Sequence, residues 1–287
     1  MALDFTTINR TIELPNELNF VPEYEDSKMR DHKFVINPLN GEAMGHVSIG
    51  FNCAPHKDFF EGVWSQVTEN LDGADISDAE VRFQTARHGG FALMDVCFPS
   101  INADIVTSSG HKTTLRQRII ALHGVDGKQG SNTTLFGSID SFCTNGQISG
   151  EYSKIRRKNS SGFSLEAFIN ELRRAKNDFY AESDRLKVFA QTDLKEKTVQ
   201  QLLEDIIPSE QKQKKMYELY MSEASVRGHN KYSLMSAFTN YASYADSRNG
   251  FELRNTSNQT ETRAITMLNR ELEVNKWMSD QRFLEVA

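Results

Sequence analysis

The chain has 287 residues, enough for one large domain or two modest ones with a buried core and no disulfide staples. Hydrophobic residues make up 38% and charged residues 25%, with 18 phenylalanines, the balance of an ordinary folded protein. A formal charge of −6 argues against a protein that coats nucleic acid over most of its surface.

Cys53, Cys97 and Cys143 are isolated, with no C-x-x-C pair, so neither a disulfide framework nor a zinc finger is indicated and reduced thiols are expected. MALDFTTINR lacks a charged-then-apolar signal pattern, and no apolar run approaches the ~18 residues of a membrane helix. The expectation is a protein of the host-cell cytoplasm without membrane contact.

Residues 1–32 are polar and acidic, with Pro15, Pro22, Glu23, Glu25 and Asp26, and read as a solvated N-terminal arm with room for one short strand. KFVIN and HVSIGFN then read as strands around the turn Pro38-Leu39-Asn40-Gly41. In HKDFFEGVWSQVTENL, Phe59, Phe60, Val63, Trp64, Val67 and Leu71 share one helical face, and Asp58 and Glu61 favour the N-terminal end. Val81, Phe83 and Thr85 alternate with Arg82 and Gln84, and His88-Gly89-Gly90 turns this strand into the apolar FALMDVCF. Pro99 and Asn102 interrupt, leaving ADIV as a separate short strand. Leu115 to His123 places Arg116 and Arg118 on one face and Gln117, Ile119, Ala121 and His123 on the other. Thr134 to Cys143 supplies a further strand.

Beyond Ser164, a candidate N-cap, the apolar period is helical: Phe168, Leu172, Ala175, Phe179, Leu186 and Phe189 form one stripe. Four more helices are expected: one stopped by Pro208, one around Met216 and Tyr220, one through Leu234, Phe238 and Tyr241, and one from Thr260 towards Phe283. The polar loop Arg248 to Asn258 separates the last two. Strands followed by helices indicate α+β: an arm at 1–32, an antiparallel core with one packed helix at 33–163, and a mostly helical region at 164–287 that packs on the core or mediates oligomer contacts.

Charge is uneven. Residues 101–160 hold eight basic side chains (Lys112, Arg116, Arg118, Lys128, Lys154, Arg156, Arg157, Lys158) against Asp104, Asp126, Asp140 and Glu151, a local +4, so the remainder sums to −10. Clustered guanidinium groups neutralise backbone phosphates and release counterions, whereas an ordinary loop entering a helix would simply be solvated. Arg116 and Arg118 either extend this strip or pair with Asp140 across strands. Lys128 lies on a glycine-rich connection, and Tyr152 is the aromatic best placed to stack on a base. Asn145-Gly146 reads as a hairpin turn or as a close approach to phosphate.

Several pieces together resemble a family of phage/plasmid-like proteins with a domain of unknown function. They are Gly45-His46-Val47, Phe59-Phe60, the Gly89-Gly90 hairpin, LHGVDGK leading to FCTNG, KIRRKNS, SAFTNYASYAD and the closing WMSDQRFLEVA. The resemblance covers roughly residues 40 to 287. It implies a setting in phage or mobile-element DNA and no particular reaction. The chain departs from the family where His123-Gly124-Val125-Asp126-Gly127 replaces a His-Asp-Gly, and where Arg156-Arg157-Lys158 stands without a histidine. In layout the chain is also similar to single-strand annealing recombinases, which implies homo-oligomers holding single-stranded DNA in a basic groove; a shared layout alone does not establish function.

Catalytic signals are poor. The seven histidines are scattered without ligand spacing, and Cys143 has no visible base. Without a G-x-x-x-x-G-K-[ST] loop ATP use is not indicated, and no cofactor is expected. The expectation is an ATP-independent protein that binds and anneals single-stranded DNA as a homo-oligomer. The rivals are a module that binds a phage or host protein, such as an inhibitor of a defence system or nuclease, and a metal-dependent nuclease using Asp95, Asp104 or Asp140.

Overall fold

A computed structural model describes residues 6–7, 12–128, 132–140, 145–148, 165–244 and 260–287. At 6–7, 145–148, 165–169, 171, 244 and 260–268 the description is of the backbone alone. The fold is α+β. Six antiparallel strands, β1 (Thr6–Thr7), β5 (Glu80–Ala86), β6 (Phe91–Val106), β7 (Lys112–Gly124), β8 (Thr133–Asp140) and β9 (Asn145–Ile148), lie side by side in that order. A second sheet joins β2 (Glu23–Asp26), β3 (His32–Asn37) and β4 (Glu42–Ser48). The helices are α1 (His56–Asn70), α2 (Gly73–Ile76), α3 (Leu165–Gln191), α4 (Glu196–Ile206), α5 (Glu210–Arg227), α6 (Lys231–Tyr244), α7 (Thr260–Met278) and α8 (Gln281–Glu285).

Strand alternation decides which helix each face meets. Ala92, Met94, Val96 and Phe98 of β6 and Ile119 and Ala121 of β7 point to one side, where Phe59, Phe60, Val63 and Trp64 of α1 and Leu172, Phe179 and Leu186 of α3 join them. Phe91, Leu93, Ile120, Leu122 and Leu135 point to the other side, against Leu272 of α7. The apolar cluster on the first side continues through α4, α5, α6 and α8, so strands and C-terminal helices share one core.

Two expectations change. The segment read as a solvated arm is built in: β1 pairs with β5, β2 pairs with β3, and Leu18 is fully buried in the main core. The break at Pro99 is a register shift between Phe98 and Asn102 within a single 16-residue strand. Proline, lacking an N–H, falls where the ladder is already interrupted.

The two sheets meet at a tight junction. The connection from β5 to β6 holds Arg87, His88 and Gly89 at positive φ, and Gly90 N–H closes it by donating to the Arg87 carbonyl at 2.8 Å. A Cβ on Gly45 would lie 2.0 Å from the Asp126 carbonyl oxygen, and one on Gly127 would lie 2.3 Å from Val47 Cγ1. Glycine is required there because backbone approaches backbone at Gly45, and because Gly127 combines a positive φ with close approach to the Val47 side chain.

Candidate nucleic-acid interface

Arg116 and Arg118 do share the face of the six-stranded sheet that α7 covers, yet their surroundings differ. Arg116 is half-buried and forms no ion pair among the described residues. Arg118 is enclosed. Its Nε donates to Asp95 Oδ1 at 2.7 Å and its Nη2 to Asp95 Oδ2 at 2.9 Å; its Nη1 donates to Glu271 Oε2 at 2.9 Å. Arg82 Nε completes the group at 2.7 Å from Asp95 Oδ2. Burial alone would raise the Asp95 carboxyl, but Arg118 and Arg82 together hold it below the usual carboxylate range. Burial works against the Arg118 cation, and Asp95 and Glu271 more than restore it. Arg118 therefore has no surface to offer a phosphate. The reading of it as part of a strip is corrected, because its counter-ions come from β6 and α7.

Nor does Asp140 take the alternative role of pairing with Arg116 or Arg118. It points to the opposite face beside Leu115, where Thr113 Oγ1 donates to its Oδ1 at 2.5 Å. Arg227 Nη2 and Tyr232 OH both donate to its Oδ2 at 2.9 Å. Arg227, fully buried, also binds Glu223 and Ser236, and Asn240 Nδ2 donates to Glu223 Oε1 at 2.8 Å. This network fastens the end of β7 and β8 to α5 and α6.

Lys128 is exposed, with its backbone N–H donating to Asp126 Oδ1 at 2.9 Å. It follows the Gly124 end of β7, whereas Arg116 is near the Lys112 end. At about 3.3 Å per residue the eight positions from 116 to 124 alone span roughly 26 Å, so Lys128 and Arg116 are not neighbours in one strip. Tyr152, Lys154, Arg156, Arg157 and Lys158 lie outside the described residues, as do Cys143 and the loop Arg248 to Asn258. The chain reaches Ile148 at the end of β9, the edge strand, and resumes at Leu165 in α3. Arg116, Ile139 and Gly146 form one row across β7, β8 and β9. At about 4.8 Å per strand, Arg116 is roughly 10 Å from the edge strand that leads into the basic run. Asn145 and Gly146 are the first residues of β9, paired with Asp140 and Ile139, and are not the turn itself.

The carboxylates of the nuclease reading are occupied. Asp95 binds two arginines, Asp140 binds Arg227, Tyr232 and Thr113, and Asp104 pairs with Lys112 at 2.8 Å and accepts from Thr114 at 2.8 Å. Among the described residues no group of three His, Cys, Asp or Glu side chains is placed to hold a metal ion. Cys97 is buried, and burial together with Asp95 and Glu80 pushes its thiol up to about 12, which suppresses the nucleophilic thiolate. Among the described residues no helix is long and apolar enough to cross a membrane.

One constellation had no signal in the sequence. His56 at the start of α1 and His123 near the end of β7 meet at 2.9 Å between their Nδ1 atoms, and His56 Nε2 lies 2.8 Å from the Gly89 carbonyl oxygen. A carbonyl only accepts, so His56 Nε2 carries the proton and its Nδ1 accepts from the Nδ1–H of His123. Phe59 stacks on His123 at 4.7 Å. Burial pushes His56 down to about 4, partly opposed by its bond to Gly89, and burial with the neighbouring His56 pushes His123 well down. Both rings are neutral and structural.

No family model, curated protein or solved structure matches the chain.

Proposed function

We propose that the protein binds and anneals single-stranded DNA without ATP, through the basic run Lys154, Arg156, Arg157 and Lys158 between β9 and α3. The observation that carries this reading is charge: four cations within five positions of a chain whose net charge is −6. An isolated cationic segment on an acidic body attracts a phosphate backbone locally and leaves the rest of the surface unreactive towards it. Arg116 supports the reading, being half-buried, without an ion pair among the described residues, and about two strands from the edge that leads into the run. Tyr152, two residues before Lys154, supplies an aromatic face for a base, and stacking of that kind is tolerant of sequence. Arg118 plays no direct part. A setting in phage or mobile-element DNA, drawn from the resemblance of residues 40–287, belongs to the same proposal, as does work as a homo-oligomer.

Gel-shift and strand-annealing assays test it. Binding to a single-stranded oligonucleotide is expected to weaken at least tenfold when Arg156, Arg157 and Lys158 are reversed to Glu, with the far-UV circular dichroism unchanged. Full binding by that variant, or none by the unaltered protein at low salt, would refute the proposal.

A further inference from the structure

We propose that the outer face of the three-stranded sheet is a contact surface for a second copy of this chain. Ten large apolar side chains are exposed among the described residues, and five of them, Val21, Met29, Phe34, Leu39 and Ile49, fall within residues 21–49. Phe34 stands in β3 and the other four in the segments flanking the strands of this small sheet; such crowding marks a surface that is covered in use, whereas the remaining five are spread over β6, α3, α5 and α8.

The face is ordered along its length. His46 of β4 stands between two side chains of β3, its ring 4.9 Å from His32 and 4.7 Å from Phe34. His46 Nε2 and Ser27 Oγ are 2.8 Å apart, and His32 Nδ1 lies 2.9 Å from Asp31 Oδ1, so both imidazoles are held in place before any partner arrives. Ile49 adjoins one end, where its N–H donates to the Asp31 carbonyl, and Met29 lies in the same turn. Leu39 is in the turn at the other end, between β3 and β4. A preset aromatic centre with methionine and aliphatic side chains is the composition of an interface core, and fixed rings lose little rotamer entropy on contact.

Charge selects the occupant. Glu23 and Glu25 of the edge strand β2 share this face, Glu25 opposite Phe34, while Asp26 alternates to the other side; Lys28 and Arg30 lie in the turn that follows, all exposed. Acids along this margin disfavour a nucleic-acid backbone. Glu23 lies at the Leu39 end of the sheet and Lys28 and Arg30 at the Met29 end, so a two-fold axis lying across the strands between two facing copies sets the Glu23 end of one against the basic turn of the other, and the surface is complementary to itself. The inference stands apart from the basic run, which lies elsewhere in the chain.

Light scattering coupled to gel filtration, with sedimentation over a range of concentrations, tests this on the full chain without nucleic acid. The expected result is a dimer of twice the 32.6 kDa chain mass. Phe34→Glu combined with Ile49→Glu is expected to raise the dimer dissociation constant at least a hundredfold while circular dichroism and thermal unfolding keep a folded monomer. Ser48→Arg, exposed on the same face and removing no packed side chain, guards against misfolding of the first variant and is expected to weaken the dimer as well. Val188→Glu on α3 is expected to leave it intact. A chain that stays monomeric at every concentration, or a dimer that both face variants leave unchanged, would overturn the proposal. Nucleic-acid binding is read separately on the same samples, so the dimer surface and the basic run can fail independently, while a strictly monomeric chain would also remove the homo-oligomer from the proposed function.

Discussion

In the six-stranded sheet α1 and α3 cover one face and α7 the other, and the charges at its centre, Asp95, Arg82 and Arg118, are closed off with Glu271. In the three-stranded sheet one face packs inward through Val35, Met44 and Val47, and the other keeps Phe34, His46 and Ile49 at the surface. The first sheet hides ions and the second exposes rings, the reverse of what residue type alone would assign. The difference follows from coverage: ions survive inside only when every partner is supplied, and apolar groups persist outside where a surface is made to be covered.

The sharpest way to break the comparison is to remove one ion from the closed group. Arg118→Met leaves Glu271 without its fork and Asp95 with Arg82 alone, and is expected to cost about 3–5 kcal/mol in urea unfolding, the penalty for a buried charge left uncompensated. Arg116→Met, two residues along the same strand, is expected to change stability by less than about 1 kcal/mol. Equal effects at the two positions would mean that Arg118 is not enclosed as described.

Acid probes the neutral histidines beneath the junction of the two sheets. In the unfolded chain His56 titrates near its ordinary 6.5, while in the folded protein it is pushed down to about 4. Between these values the unfolded state binds more protons, so stability is complete above pH 6.5 and falls as the pH drops towards 4. At about 1.4 kcal/mol per pH unit the loss approaches roughly 3 kcal/mol. Unfolding free energy that stays flat across this window would contradict the buried pair. Gly45→Ala follows, at about 2–3 kcal/mol, because the new methyl meets the Asp126 backbone. Hydrogen exchange is expected to show β3 and β4 losing protection while β6 and β7 keep theirs; uniform loss would mean that the sheets are not separable in this way. The smallest effect is expected at Lys112→Ala, where the ion pair with Asp104 is exposed and screened by solvent, so the same unfolding measurement should barely distinguish the variant from the unaltered protein.

What could be read in the sequence was local. Phe59, Phe60, Val63, Trp64 and Val67 announced α1 by their spacing, and all five are buried. The hairpin through Gly89 and the strand pattern of β7 were legible for the same reason, as was the succession of helices after Ser164. The fate of Arg118 was not legible, because an arginine alternating on a strand looks the same whether it faces water or a glutamate 153 positions away. The His56 and His123 pair, 67 positions apart, was hidden likewise. Some of the pieces that carried the family resemblance have structural reasons for standing out among the described residues. Gly45, Gly90 and Gly127 are where backbone and side chains crowd around Asp126 and Val47, and Ser236 and Asn240 of SAFTNYASYAD bind Glu223 beside the buried Arg227. Of the basic strip, composition located the charge, and the structure removed Arg118 and set Lys128 apart.

The salt dependence of single-strand binding tests the central claim most directly. Each phosphate neutralised on a single strand contributes about −0.7 to the slope of log K against log salt, so four cations acting together are expected to give a slope near −3. Reversing Arg156, Arg157 and Lys158 to Glu should bring it close to zero, while Lys128→Glu should change it by no more than about one phosphate. A slope near zero for the unaltered protein, or one that the triple reversal leaves intact, would contradict the account.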